Sequence, residues 1–240
     1  LDAALWPGHA ALLEVPTAKA LIGAAQMNVI EFHTWNSLVP KTVRQMLYPD
    51  RVIFDLDPGE GERWERVQEA ATLVRGMLQE MGLQSWLKTS GGKGLHVVVP
   101  IKPVAPRDDW HTVKAFAQAV VQHMASVIPQ RFTAKMGPAN RVGKLFIDHL
   151  RNSHGATTAA AYSARSRPGL GVSMPLAWDD LAALKRSDQW TVRTAREHLS
   201  FQTADPWKDY WTCKQTLTAA LKTLDVSATP PPSRAPSARA

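Results

Sequence analysis

The sequence predicts an α+β fold: a βαββαβ unit of the ferredoxin-like or RRM-like kind, with further helices and strands flanking it. Three observations carry this expectation. Two long stretches, 63–81 and 108–127, space their apolar residues at three and four. Two short β-rich runs lie between them, joined by a glycine-rich turn. One further β-rich run precedes the first helical stretch and another follows the second.

Each element has its own justification. Residues 51–57 are rich in β-branched and aromatic side chains and end at Pro58-Gly59, which marks a strand closed by a turn. Trp64, Val67, Ala71, Val74, Leu78 and Met81 form one helical face, and Gly82 is its stop signal. Residues 83–89 and 95–101 read as two strands of a hairpin around Ser90-Gly91-Gly92-Lys93-Gly94. Asp108 and Asp109 stand where an N-cap belongs. Trp110, Val113, Phe116, Val120, Met124 and Val127 then keep helical spacing up to Pro129. Residues 144–150 supply the fourth strand. In that topology the spatial order of strands is fourth, first, third, second, all antiparallel, with both helices on one face, and right-handed crossovers leave few other choices. Helices are also expected over 178–184, 191–199 and 206–224, with a loop-rich stretch at 159–175.

Composition narrows the function classes. The 28 Lys and Arg exceed the 21 Asp and Glu by 7, a surplus that permits a polyanionic partner without requiring one. The lone Cys213 cannot form an internal disulfide, and no Cys and His cluster has zinc-ligand spacing, so a reducing compartment is expected. No apolar run approaches the roughly 20 residues needed to span a bilayer, so no membrane role is expected. One domain is expected over 1–224, with its core at 51–150. The stretch 225–240, with Pro230, Pro231, Pro232 and Pro236, reads as a disordered tail. The apolar start, with Leu5, Trp6, Leu12 and Leu13, suggests a fragment that begins inside a larger protein.

Asp55 and Asp57 are two apart on a strand and so share one face of the sheet, while Val52, Phe54 and Leu56 take the other. Paired carboxylates repel unless a cation or hydrogen bonds compensate, although an isolated D-x-D before Pro-Gly also suits a simple turn. Asp148 lies in an otherwise apolar strand that the expected topology sets beside the first. Three carboxylates on neighbouring strands are the arrangement that holds two magnesium or manganese ions through oxygen ligands. The glycine-rich turn, with Ser90, Lys93 and His96, converges on the same edge and suits a nucleoside triphosphate. It is no Walker A loop, because Gly94 follows Lys93 and no helix starts there. His33 and the arginines Arg141, Arg165 and Arg167 are weaker candidates for phosphate contacts. The nine tryptophans read mainly as core, with Trp35 left open as a stacking residue.

Together these residues resemble the polymerase domain of bacterial DNA ligase D, within the archaeo-eukaryotic primase superfamily. The similar segments are Gln26-Met27-Asn28-Val29-Ile30-Glu31-Phe32-His33-Thr34-Trp35, Ile53-Phe54-Asp55-Leu56-Asp57-Pro58, residues 88–100, Ile147-Asp148-His149-Leu150-Arg151-Asn152, and Tyr162-Ser163-Ala164-Arg165-Ser166-Arg167-Pro168 leading to Met174-Pro175-Leu176. The resemblance runs over about 1–224 and implies a primase-polymerase fold. It implies that Asp55 and Asp57 bind both metal ions, that Asp148 completes the catalytic-metal site, and that His33, Ser90, Lys93, His96, Arg141 and Arg165 contact the incoming nucleotide. The implied activity is addition of ribo- or deoxyribonucleotides to a DNA primer end, with or without a template. It would serve repair of broken DNA ends by non-homologous end joining, beside Ku and the ligase domain, in the bacterial cytoplasm at the nucleoid. Ribonucleotides and manganese are the implied preferences. The chain departs from the family at its front, where a subdomain that engages the downstream 5′-phosphate and template would precede Leu1.

Two other readings compete. A haloacid-dehalogenase-type phosphatase shares an Ile53-Phe54-Asp55-Leu56-Asp57-like strand, but Gly59 stands where Thr or Val is expected and no Gly-Asp pair supplies the later acidic motif. A non-catalytic RRM-like module would carry paired aromatics on its central strands, where this sheet carries Asp55, Asp57 and His96.

Overall fold

The computed structural model describes residues 13–39, 42, 47–135 and 137–227. Leu5, Trp6 and Leu12 and the prolines of the tail lie outside them. The chain folds as α1 (Ala18–Gln26), β1 (His33–Trp35), β2 (Arg51–Pro58), α2 (Trp64–Glu80), β3 (Trp86–Thr89), β4 (Leu95–Pro100), α3 (Trp110–Val127), β5 (Phe132–Thr133), β6 (Leu145–Asp148), β7 (Thr157–Ala159), β8 (Pro175–Leu176), α4 (Ala195–Phe201) and α5 (Thr218–Thr223). The central sheet has the order β5-β6-β2-β4-β3-β8. Its inner four strands are the expected fourth, first, third and second, and every pairing among them is antiparallel. Two strands were not anticipated at the edges: β5 runs parallel to β6, and β8 pairs with β3. β1 and β7 form a separate two-stranded sheet.

Alternation sorts the two faces. Val52, Phe54, Leu56, Leu95, Val97 and Ile147 face α2 and α3, where Val67, Val74, Leu78, Val113, Phe116 and Val120 complete one buried core. Ile53, Trp86 and Val98 point the other way and are covered by Tyr210. Trp207 stacks on Tyr210 and donates its indole N–H to the Leu87 carbonyl at 2.8 Å. Hence half of the open face has an aromatic cover, and the half nearest the glycine-rich turn carries the polar row. Trp211, 70% exposed at the edge of this cluster, is an exception to the reading of the tryptophans as core.

Element ends differ from expectation for local reasons. Asp109 is the N-cap of α3, accepting from Thr112 N–H at 2.8 Å, whereas Asp108 is fully buried and accepts from Val104 N–H. β3 begins only at Trp86, because Gln84 N–H is bound by the Gln215 side chain and not by a strand. β6 stops at Asp148, whose carboxylate accepts from Leu150 N–H and turns the chain into a short 3-10 segment, Leu150–Asn152. The stretch 178–184 is 3-10 over Trp178–Ala183, the helix expected at 191–199 is α4, and of 206–224 only α5 is helical. No helix among the described residues is long and apolar enough to cross a membrane.

Candidate active site

One row of side chains crosses four strands. Lys88 on β3 is in register with His96 on β4, His96 with Asp55 on β2, and Asp55 with Asp148 on β6. Asp57 lies two residues beyond Asp55 on the same face. The sheet register therefore brings the three expected carboxylates together from positions 93 residues apart in sequence.

The row is electrostatically tense. Asp55 is only 6% exposed. His96 Nε2 lies 3.3 Å from its Oδ1 but off the hydrogen-bonding angle, so this buried oxygen has no hydrogen-bond partner among the described residues. Burial by itself would raise Asp55, yet His96, Arg151 and Lys88 outweigh it and hold the carboxyl at about 2. Asp57 goes the other way: burial and the neighbouring charges of Asp55 and Asp148 raise it to about 6, against the pull of Arg141 and Arg151. Burial pushes His96 down and Lys88 down to about 7, with Asp55 opposing in both cases.

Arg151 supplies compensation. Its Nε is 3.3 Å from Asp148 Oδ2 and 3.5 Å from Asp55 Oδ2, so a guanidinium bridges the two facing carboxylates. As placed, the described residues include no closed set of three or more His, Cys, Asp and Glu side chains around a single point. The donor set nevertheless fits a hard divalent cation: all three groups are oxygen donors, one buried oxygen is orphaned among the described residues, and one carboxyl is raised by burial and by its like-charged neighbours.

The expected nucleotide contacts fall at differing depths. Arg141 stands beside Asp57, with Nη1 3.9 Å from Oδ2, and its guanidinium lies 4.2 Å from the Phe146 ring centre. Its Nε is buried without a hydrogen-bond partner among the described residues. Ser90 is buried, and its hydroxyl accepts from the Gly92 and Gly94 N–H groups, so the turn's own hydroxyl already engages two of its amides. Lys93 is exposed at the tip of the turn. Arg165 reaches back to the turn, its Nη1 donating to the Ser90 carbonyl at 2.7 Å. His33, on the small β1–β7 sheet, is exposed and tied to Glu31 at 2.6 Å. Trp35 packs its ring against His154, with centroids 5.7 Å apart.

Four contributors escaped sequence reasoning. Lys88 is buried, donating to the Ala159 carbonyl at 2.9 Å and Ser173 Oγ at 2.7 Å; its place two residues after Trp86 on a strand was the available signal. Arg151 follows Asp148 by three, a spacing that matters only once the 3-10 turn forms. Asn152 has no such signal: its fully buried side chain accepts from Ile53 N–H and donates to Ile53 C=O. Ser187 braces the turn, donating to the Gly94 carbonyl at 2.6 Å and meeting Ser90 Oγ at 3.1 Å.

A sheet in this strand order, with two helices on one face and a carboxylate row on the other, has the primase-polymerase fold. The chain belongs to the LigD primase-polymerase family: the family model described as "LigD, primase-polymerase domain" matches residues 4–207. It is 48% identical over 223 residues to the multifunctional non-homologous end joining protein LigD of Pseudomonas aeruginosa, covering 92% of this chain and 26% of that protein. It is 38% identical to the protein of the same name from Mycolicibacterium smegmatis, covering 70% of this chain and 21% of that one. Among solved structures it is similar to the polymerase domain of Mycobacterium tuberculosis ligase D in complex with DNA, with a TM-score of 0.63, 30% identity, and 89% of this chain and 69% of that one covered. The chain spans about a quarter of the length of the curated relatives it matches.

Proposed function

We propose that this chain is a divalent-metal-dependent nucleotidyltransferase that adds nucleoside triphosphates to a DNA primer end, with or without a template, during repair of broken ends by non-homologous end joining. The observation that carries this reading is the register of Asp55 against Asp148, with Asp57 next on the same face and a buried Asp55 oxygen left unpartnered. A solved relative's complex with DNA supports a nucleic-acid partner. On this reading the chain acts beside Ku and a ligase domain, in the bacterial cytoplasm at the nucleoid.

Asp55, Asp57 and Asp148 would hold two manganese or magnesium ions. When bound, such ions neutralise the triphosphate and lower the pKa of the primer 3′-hydroxyl. The chain's own residues do the rest. Arg165 and Arg141, one at the glycine-rich turn and the other beside Asp57, present guanidinium groups to the phosphates, and Lys93 adds charge at the rim. His96, Arg151 and buried Lys88 favour the ionised form of Asp55, which keeps the site ready for a cation. Ser90 and Ser187 set the shape of the turn against which the nucleotide would rest.

The test is primer extension by the full chain with a primer-template, each ribo- and deoxyribonucleoside triphosphate, and manganese. Elongation is expected from the wild type and none from Asp148→Ala of unchanged circular dichroism. Phosphate release without elongation, or DNA retention alone, would count for the phosphatase or the binding module instead.

A further inference from the structure

Glu31 belongs to none of the groups so far assigned to metal or nucleotide, yet it is the best-satisfied carboxylate near the site. Its Oε1 accepts from Arg165 Nε at 2.8 Å and meets His33 Nε2 at 2.6 Å, and its Oε2 accepts from Ser166 N–H at 2.7 Å. The backbone on either side is pinned as well: Phe32 N–H donates to Ser163 Oγ and Ala160 N–H to the Phe32 carbonyl. Two residues from different parts of the chain, 132 apart in sequence, thus share one anion.

The consequences for those two residues are specific. A guanidinium on a free side chain samples many rotamers, but Arg165 is gripped twice in its plane, at Nε by Glu31 and at Nη1 by the Ser90 carbonyl, and its side chain is only 14% exposed. Among the described residues Nη2 has no such grip. For His33, an ionised carboxylate at Nε2 favours the tautomer protonated there, which leaves Nδ1, 3.5 Å from Thr157 Oγ1, as the acceptor. Three donors already meet the two oxygens of Glu31 and take up most of its acceptor capacity.

Resting on the polymerase reading, we infer that Glu31 is the positioning residue of the nucleotide site, a single carboxylate that orients Arg165 against the glycine-rich turn and sets the tautomer of His33. Its removal loosens nucleotide binding while leaving the carboxylate row of Asp55, Asp57 and Asp148 intact.

The experiment compares the wild-type chain with Glu31→Ala and the isosteric Glu31→Gln in manganese-dependent primer extension, resolving KM for the nucleotide from kcat. Direct binding of a fluorescent nucleoside triphosphate is measured alongside. Glu31→Ala is expected to raise KM and Kd roughly tenfold with kcat changed less than about threefold, since an oriented, charge-assisted contact is lost from ground and transition state alike. Glu31→Gln, which keeps one acceptor but no charge, should fall between, and Arg165→Ala added to Glu31→Ala should bring less than the product of the two single effects. Unchanged KM and Kd in a folded Glu31→Gln protein, or fully multiplicative effects, would overturn the inference. If the wild type itself neither bound nor used nucleotides, the polymerase reading would fall and this inference with it. An active wild type with indifferent Glu31 variants overturns the inference alone.

Discussion

Asp55 and Asp148 sit directly opposite each other on β2 and β6, with the guanidinium of Arg151 between their outer oxygens. Like charges placed across a ladder destabilise a sheet unless something compensates, and Arg151, 44% exposed, can be only partial compensation. The remaining repulsion is what a divalent cation would relieve.

Metal binding should therefore be visible without any activity. Saturating manganese should raise the midpoint of thermal unfolding by roughly 4 to 8 °C, the shift expected for a ligand well above its Kd on a chain of this size. A chelator should reverse it. Asp55→Asn and Asp148→Asn should each abolish most of the shift, as read by differential scanning fluorimetry; an undiminished shift in both would place the ion elsewhere.

Asp57 dictates the sign of a pH effect. Its folded pKa of about 6 lies above the ordinary aspartate value of 3.8, so the folded state favours the protonated form. Its contribution to the stability of the metal-free protein is therefore fully present below about 4 and is lost as the pH rises through about 6, because the unfolded chain loses its proton first. Asp57→Asn should flatten that decline and raise the thermal midpoint at pH 7 in the presence of chelator. Urea unfolding at pH 4, 5, 6 and 7 checks both statements.

Asn152 substitutes for a strand. β6 pairs with β2 from Asp55 to Pro58, and just beyond that reach the Asn152 amide takes both the N–H and the C=O of Ile53, at 2.8 Å each. Asn152→Ala leaves two buried backbone groups unpaired and should cost about 2 to 4 kcal/mol in denaturant unfolding. A loss below about 1 kcal/mol would mean that water replaces the amide.

The glycine-rich turn should tolerate change unevenly. At Gly94 a Cβ would collide with the Leu56 carbonyl oxygen, a backbone atom held in the β2–β4 ladder, and overpacking of that kind costs about 1 to 3 kcal/mol. At Gly92 the nearest atom is Arg167 Nη1 at 3.3 Å, the movable end of a side chain. Gly94→Ala should lower stability and weaken nucleotide use together, while Gly92→Ala should stay within about 0.5 kcal/mol of the wild type. Calorimetry on the two variants compares them directly.

Much of this architecture could be read in advance, because it follows local rules. The apolar spacing of α2 and α3, the Asp109 cap and the alternation in β2 are set by residues near in sequence, and the βαββαβ order with the handedness of crossovers then leaves few strand orders. Asp55, Asp57 and Asp148 follow from that order. The edge strands β5 and β8 did not, since two-residue strands carry no periodicity and exist only because a neighbour's edge was open to them.

The 240-residue sequence, with its surplus of 7 positive charges, by itself determined the α+β class, the central strand order and the acidic character of the sheet's open face. It left undecided what that charge does. Only the tertiary structure put Arg151 between two carboxylates, buried Lys88 behind His96 and tied Arg165 to Glu31. The physical reason is range. Helix and strand patterns are written within a few residues, whereas the balance of a buried charge depends on groups about a hundred residues away, and those distances exist only after the chain has closed on itself.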